Sequence, residues 1–468
     1  MARSACDDVA DMSLSGLLRS HPRRHLNPAQ AVVLAFLGAI AAGTVALRLP
    51  LAHAAGTEHG WLTALFTATS AVCVTGLIVV DTGSAWSPFG QVVIAVLIKT
   101  GGIGILSLGA LVALATGRRL GFTDRQRLQV QTNALTVGGI VRFVRSLLLF
   151  TTGAELVGAV ALWPLLMRTN DAGSAAWSAL FHAVSAFNNA GFSLYPDSIA
   201  GYAGDPAVGL LIAGLFVLGG IGLVVVMDVA LGVGVVVRRR RRQPLTLHTR
   251  LALLSTLVLA VAGWVAVAAL EWRNPATLGS LAPLERVVAA GFQALTPRTA
   301  GFTMLDLEGY RAPTTLVTML LMFIGGNPGS TAGGVKTTTI AVLVLTALAA
   351  SRGRSRVTAL GRYIAAATIT KAAALVILAV LVIGAAATLL TITDPSVPVL
   401  ALAFESVSAF ATVGLSLGIT PDLTAPGQLM LVVLMFAGRV GLLTVALALA
   451  ANGRQPVARY PSEDVVVG

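Results

Sequence analysis

The sequence predicts an all-α membrane protein in which four repeated span–pore loop–span units surround a pseudo-fourfold central pore. Three observations predict it. The 468-residue chain is 56% hydrophobic and only 11% charged, whereas a soluble protein carries about 25% charged residues. Long apolar runs lie at 31–50, 89–115, 143–167, 207–237, 250–271, 313–350, 364–392 and 427–451, close to or beyond the roughly 20 residues of a spanning helix. Between alternate pairs of runs one loop motif recurs four times in register, and internal repetition decides architecture before any single element does.

Residues 1–27 are a basic tail with Arg3, Arg19, Arg23 and Arg24 but no early apolar segment. No cleavable leader is expected, and the run from Ala31 to Leu47 acts as an uncleaved anchor. Unit one covers 28–127, unit two 128–242, unit three 243–356 and unit four 357–452, followed by a tail over 453–468. Within the units, the stretches near 61–80, 176–195, 284–305 and 399–418 are too short and too polar to span. They read Phe66-Thr-Ala-Thr-Ser-Ala-Val-Cys-Val-Thr-Gly76-Leu77, Phe181-His-Ala-Val-Ser-Ala-Phe-Asn-Asn-Ala-Gly191-Phe192, Phe292-Gln-Ala-Leu-Thr-Pro-Arg-Thr-Ala-Gly301-Phe302 and Phe404-Glu-Ser-Val-Ser-Ala-Phe-Ala-Thr-Val-Gly414-Leu415. The third copy is one residue shorter. Each is followed by a second glycine motif: Gly101-Gly-Ile-Gly104, Gly219-Gly-Ile-Gly222, Gly325-Gly-Asn-Pro328 and Gly438-Arg-Val-Gly441.

Charge checks the topology independently. The net charge of +12 comes from arginines in short segments between apolar runs, which argues for membrane orientation and against nucleic-acid binding. Arg118, Arg119, Arg125 and Arg127, then Arg238 to Arg242, then Arg352, Arg354 and Arg356 fall on the side of the basic N-terminus. That side is expected to be the cytoplasm. Glu58, Asp81, Asp171, Asp197, Asp205, Asp306, Asp394 and Asp422 fall on the other side, where an acidic rim attracts cations. Cys6 and Cys73 have neither disulfide-framework nor zinc-site spacing.

Non-helical backbone survives at membrane depth only inside protein or beside a water-filled cavity. Each loop therefore reads as a half-helix followed by an extended segment ending at Gly76, Gly191, Gly301 or Gly414. The carbonyl end of the half-helix favours a cation, and the extended carbonyls replace the ion's hydration shell. Glycine permits the backbone angles that aim carbonyls inward.

Val72-Cys-Val-Thr-Gly76-Leu, Ala186-Phe-Asn-Asn-Ala-Gly191-Phe, Thr296-Pro-Arg-Thr-Ala-Gly301-Phe and Ala409-Phe-Ala-Thr-Val-Gly414-Leu resemble the filters of the Trk/Ktr/HKT potassium transporter superfamily, and the resemblance runs from about residue 28 to 452. It implies carbonyl ligands for K+ from Val74, Thr75, Asn189, Ala190, Thr299, Ala300, Thr412, Val413 and the four glycines. Gly76 at the first filter position implies potassium, since a serine there goes with sodium transport. With no additional span pair ahead of unit one, the chain looks more like a Ktr-type membrane subunit than the longer Trk type. The resemblance further implies a multi-pass protein of the bacterial cytoplasmic membrane with a cytoplasmic N-terminus, not an enzyme. It implies a homodimer with one pore per subunit and a cytoplasmic nucleotide-binding regulatory ring. No cofactor is implied in this chain, and Na+ is a candidate stimulating ion. The basic loops at 238–242 and 352–356 would face that ring or the anionic membrane surface.

The run Gly325-Gly-Asn-Pro-Gly-Ser-Thr-Ala-Gly-Gly334 cannot continue a regular helix, because Pro328 removes a backbone donor and the glycines lower helix stability. A break is expected over 325–335. By resemblance this loop lies beneath the filter and obstructs the pore, so Gly325, Gly326, Pro328, Gly329, Ser330, Thr331, Gly333, Gly334 and Lys336 are gate candidates. Arg439 replaces the second glycine of the fourth motif, and a charge at mid-depth needs water or a partner. The related proteins carry an arginine there in the gate region, so Arg439 is a gate candidate too. Lys99 lies within a span, and is expected to pair with a carboxylate such as Glu155 or to face a subunit interface. Arg298 is expected to brace the third loop by hydrogen bonding. His182 and His248 lack metal spacing.

Three competing classes are weighed. Residues 329–337 superficially resemble a Walker phosphate loop, but Val335 separates Gly334 from Lys336 and the flank is a membrane span, against the motif's requirements. A proton- or sodium-coupled secondary transporter of another solute would have broken helices but two repeats rather than four loops. A membrane-embedded enzyme would need a convergent set of His, Asp, Glu or Ser inside the spans, and none is evident.

Overall fold

The computed structural model describes residues 28–103, 137–222, 224–230, 245–354 and 356–442. Cys6 and the arginine clusters of 118–127 and 238–242 lie outside the described residues. Unit one contains α1 (Pro28–Arg48), α2 (Trp61–Cys73) and α3 (Pro88–Gly102). Unit two contains α4 (Val137–Leu166), α5 (Ala172–Phe187) and α6 (Pro206–Ile221). Unit three contains α7 (Leu247–Glu271), α8 (Pro283–Leu295), α9 (Ala312–Phe323) and α10 (Thr337–Ser351). Unit four contains α11 (Ala366–Thr393), α12 (Val399–Ala411) and α13 (Ala425–Val440). The fold is thus helical and fourfold repeated. One small antiparallel hairpin, Thr358–Ala359 against Arg362–Tyr363, precedes α11.

The opening helix of each unit is long and apolar enough to cross a membrane by itself. These helices leave large aliphatic side chains exposed, including Leu257, Val258 and Val265 of α7 and Ile377, Val380 and Leu381 of α11. Lipid solvates such a face, so helix association rests on close packing at small residues. Gly43 of α1 is one such point, where a Cβ would lie 3.0 Å from Leu97 Cδ2 and 3.3 Å from Ala68 Cβ. The short helices α2, α5, α8 and α12 are the expected half-helices. Their repeat phenylalanines Phe66, Phe181, Phe292 and Phe404 are fully buried and anchor each against the core.

The third helix of each unit starts on a common signal. Ser87, Asp205 and Thr424 cap α3, α6 and α13 by accepting from Gly90 N (3.3 Å), Ala207 N (3.0 Å) and Gly427 N (3.4 Å). A proline occupies the first or second helical position in all three and in α9. A capping oxygen satisfies an orphan N–H, and proline there gives up a donor that had no partner. Several acids expected to form a free rim are engaged in the same way. Asp81 accepts from Ser84 N at 2.8 Å, and Asp171 from Gly173 N and Ser174 N at 3.1 and 3.0 Å. The Ser174 hydrogen bonds hold the Asp171 carboxyl below its usual range. Asp394 is buried and accepts from Thr424 N at 2.7 Å.

The structure differs from the sequence reading in one respect. A break is expected in unit three alone, yet α6 and α13 also stop at the second glycine motif. The fourth motif residues, Gly222 and Gly441, have φ of +93° and +89°, a conformation glycine adopts without steric penalty and one that interrupts the helical hydrogen-bond ladder. The chain resumes after Gly222 as a short helix over Val224–Ala230, bent by 96° from α6.

Candidate functional site

Each half-helix runs directly into a segment with one backbone pattern. The residues two before the repeat glycines, Val74, Asn189, Thr299 and Thr412, have φ of +56°, +60°, +71° and +52°. Gly76, Gly191, Gly301 and Gly414 follow at +93°, +71°, +77° and +91°. Alternating left-handed residues turn successive carbonyls toward the same side. The first member of each pair is not glycine, so each left-handed conformation costs on the order of 1–2 kcal/mol. Such strain persists only where the surroundings over-determine it.

Local hydrogen bonds supply that determination. The residue between each left-handed pair donates back to its half-helix: Thr75 N to Ser70 O (2.8 Å), Ala190 N to Ser185 O (2.8 Å), Ala300 N to Thr296 O (2.9 Å) and Val413 N to Ser408 O (2.9 Å). The hydroxyls of the same four residues also bind the segment. Ser70 and Ser408 accept from Gly76 N and Gly414 N at 3.0 and 3.1 Å. Ser185 and Thr296 donate to Phe192 O and Phe302 O at 2.8 and 2.5 Å. All four hydroxyls occupy the fourth position after the repeat phenylalanine, a signal present in the sequence and not used there.

The four segments converge on one axis. A Cβ on Gly191 would lie 2.7 Å from Gly301 Cα, and one on Gly414 3.0 Å from Gly76 Cα. A Cβ on Gly76 would lie 3.1 Å from Gly191 Cα, and one on Gly301 2.5 Å from Val413 O. Each added methyl group would thus meet the next unit, and the ring closes in the order one, two, three, four. The carbonyls of Thr75, Ala190, Ala300 and Val413 are the atoms crowded at these contacts. All twelve sequence-nominated residues lie in this ring, and those with side chains are at most 1% exposed. The hydroxyls of Thr75, Thr299 and Thr412 are buried without a hydrogen-bond partner among the described residues. Buried orphan oxygens are unfavourable in a dry interior.

The second glycine motif packs beneath. A Cβ on Gly101, Gly219 or Gly438 would strike Val72 O, Phe187 O or Phe410 O, each in the last turn of its own unit's half-helix or at its end. Unit three departs. A Cβ on Gly325 would meet Gly333 O instead, because α9 ends at Phe323 and the chain folds back on itself. Ile324 and Val335 form a bridge, with Gly325 N donating to Val335 O (2.9 Å) and Thr337 N to Gly326 O (3.2 Å).

The resulting loop touches units two and four, and Arg439 of unit four links it to unit one. Asn327 N and Thr331 N donate to Gly220 O and Gly219 O of unit two at 3.2 and 3.3 Å. Thr331 Oγ1 donates to Phe187 O (3.3 Å) and Asn189 Oδ1 (3.2 Å). Gly333 abuts Thr412 Oγ1 of unit four so tightly that no Cβ fits. Arg439 is 9% exposed. Its two terminal nitrogens donate to Thr331 O in the loop and to Gly101 O in unit one, both at 2.5 Å. Lys336 turns back onto the loop, donating to Ala332 O at 2.7 Å and Gly333 O at 3.4 Å. Pro328 O lies against Gly222. Among the described residues Ser330 binds within the loop, to Asn327 O at 2.6 Å, and Gly329 sits beside Val224.

The sequence reading missed Asn327, which is fully buried and is the loop's hub. It donates to Ile221 O and Thr256 Oγ1, both at 3.1 Å, and accepts from Thr337 Oγ1. A buried amide within an apolar, glycine-rich membrane segment is itself the signal. Arg298 does brace the third loop, reaching Thr256 O and Oγ1 at 3.4 and 3.3 Å. Lys99 does not face the axis. It pairs with Glu155 at 2.7 Å and Thr151 Oγ1 at 3.0 Å, and Asn188 Nδ2 also donates to Glu155 at 2.7 Å. His182 is taken up by Ser178 and Ser193.

The comparisons with known proteins agree with one another. The TrkH family, described as cation transport protein, matches residues 12–456. The Ktr system potassium uptake protein B of Bacillus subtilis (strain 168) is 41% identical over 441 residues, covering 94% of this chain and 97% of that protein. The potassium/sodium uptake protein NtpJ of Enterococcus hirae is 34% identical over 458 residues, covering 97% of this chain and all of that protein. The crystal structure of the potassium transporter TrkH from Vibrio parahaemolyticus shares the fold, with a TM-score of 0.71 at 20% identity over 92% of this chain and 86% of that one.

Proposed function

We propose, from the premise that this chain belongs to the TrkH family of cation transport proteins, that it takes up potassium across the bacterial cytoplasmic membrane. The observation that carries this is the closed ring of four glycines with its alternating left-handed backbone. Only a ring of carbonyls compensates a bare cation for its lost water without presenting a fixed charge that would trap it. The proposed K+ ligands are the carbonyls of Val74, Thr75 and Gly76, of Asn189, Ala190 and Gly191, of Thr299, Ala300 and Gly301, and of Thr412, Val413 and Gly414.

Below the ring, the loop from Gly325 to Val335 closes the path and Arg439 holds it shut. The guanidinium ties the loop to unit one across the axis, so releasing either carbonyl frees the loop to move. Its charge also repels a cation waiting above. Lys336 stabilises the loop's own carbonyls. Relatives named as parts of a Ktr system support a partner subunit, and we read it as a cytoplasmic nucleotide-binding ring beneath a homodimer with a cytoplasmic N-terminus. Sodium is proposed as a stimulating ion; the Enterococcus relative is named as an uptake protein for both potassium and sodium.

Growth rescue of a potassium-uptake-deficient bacterium on low potassium, with the regulatory partner present, tests the reading. Wild type is expected to rescue and Gly76→Ser to rescue poorly. Failure of wild type sinks the potassium assignment, and equal rescue by both sinks the filter argument.

A further inference from the structure

One polar position recurs in the four half-helices behind the filter. The residue directly after the repeat phenylalanine is Thr67, His182, Gln293 or Glu405, and each is at most 2% exposed. A polar side chain buried behind the filter needs a partner. In three units the partner is the hydroxyl residue two past the filter glycine. His182 Nε2 meets Ser193 Oγ at 3.0 Å, Gln293 Nε2 donates to Thr303 Oγ1 at 2.9 Å, and Ser416 Oγ donates to Glu405 Oε1.

The hydroxyl then passes the restraint on. Ser193, Thr303 and Ser416 each accept from the backbone N–H two residues further along: Tyr195 N (3.0 Å), Leu305 N (3.2 Å) and Gly418 N (3.0 Å). Half-helix, hydroxyl and returning chain are therefore tied at one register in units two, three and four. Thr420 Oγ1 adds a second donor to Glu405 Oε1 at 3.1 Å. In unit one the corresponding residue after Gly76 is Ile78, which cannot take part.

We propose that these three ties are positioning elements for ion selectivity, with the Glu405–Ser416 tie the strongest because its acceptor is a carboxylate. They act through the backbone just past each glycine, fixing how far the carbonyl ring opens, and touch no ion themselves. Unit one is the wall without this tie. The inference rests on the filter reading above, and adds which side chains set the ring's dimensions.

The test compares rubidium and sodium uptake by full-length variants, with the regulatory partner, in potassium-uptake-deficient cells. Ser416→Ala and Thr303→Val are expected to keep rubidium uptake but to lower the rubidium-over-sodium ratio about tenfold and severalfold respectively, since hydrogen bonds to charged groups exceed neutral ones. Glu405→Gln keeps an acceptor but loses its charge and is expected to fall between wild type and Glu405→Ala, which follows Ser416→Ala. Ile78→Ala, in the unit without a tie, is expected to leave the ratio unchanged. If Glu405→Ala does not accumulate in the membrane, the Ser416 and Thr303 variants decide alone. Unchanged ratios in both, beside a selective wild type, overturn the proposal while leaving the filter reading intact. A wild type that does not prefer rubidium overturns the filter reading and this inference with it.

Discussion

The carbonyl ring and the layer directly beneath it are built from the same four repeats, yet they obey different rules. In the ring every unit has the same two left-handed residues and the same backbone tie to its half-helix. One layer down, units one, two and four press a glycine against a half-helix carbonyl, while unit three withdraws and sends a loop across. Symmetry is kept where a spherical ion must be surrounded equally. It is given up one layer down, where unit three alone folds its chain back into a loop.

The ring is the more demanding layer, and breaking it should have the largest effect. Gly414→Ala places a methyl group against Thr75 O at a φ of +91°. Uptake is expected to vanish in a growth-rescue assay, with protein still present in the membrane. Wild-type growth would show that the ring is looser than drawn.

The next effect is one of stability. Lys99, partly exposed, pairs with the buried Glu155. Lys99→Met alone leaves the buried Glu155 without its cation and is expected to destabilise the fold by about 1–3 kcal/mol, with Lys99→Met/Glu155→Gln recovering much of it. Thermal unfolding in detergent reads both. A single variant as stable as wild type would mean that the pair does not hold units one and two together.

The asymmetric layer gives a smaller effect of opposite sign. Arg439→Ala removes both hydrogen bonds that hold Thr331 and Gly101, each worth about 1.5–3 kcal/mol for a charged donor. Rubidium flux into proteoliposomes is expected to rise about tenfold, and Arg439→Lys, with a compact head that cannot fork, should fall between. An unchanged flux would remove Arg439 from gating. Smallest of all, Thr424→Ala at the start of α13 is expected to lower stability by about 1 kcal/mol without altering selectivity. A change in selectivity would mean that the outer end of α13 reaches the ring.

Much of the ring was legible in advance. Glycines at matched positions in four copies announce a shared backbone requirement, and Pro328 among glycines announces a break. The left-handed residues at Val74, Asn189, Thr299 and Thr412 were not legible, because nothing in a valine or threonine declares a positive φ. Their conformation is imposed by hydrogen bonds that the carbonyls of Ser70, Ser185, Thr296 and Ser408 accept from the N–H of the residue after each left-handed one, and these exist only after folding. The breaks at Gly222 and Gly441 were hidden because glycines in an apolar run read equally as helix-packing points. Lys99 was ambiguous until α4 brought Glu155 across to it. The capping roles of Asp81 and Asp171 were not legible, since a helix cap and a surface charge look alike in a sequence.

Arg439 has one further consequence. A channel assembled from four copies of a single short gene could not own it: one substitution would appear four times and crowd four guanidinium groups around the same narrow path. Joining the four units in one polypeptide makes the arginine singular, and lets each wall acquire its own duty without a change in the other three.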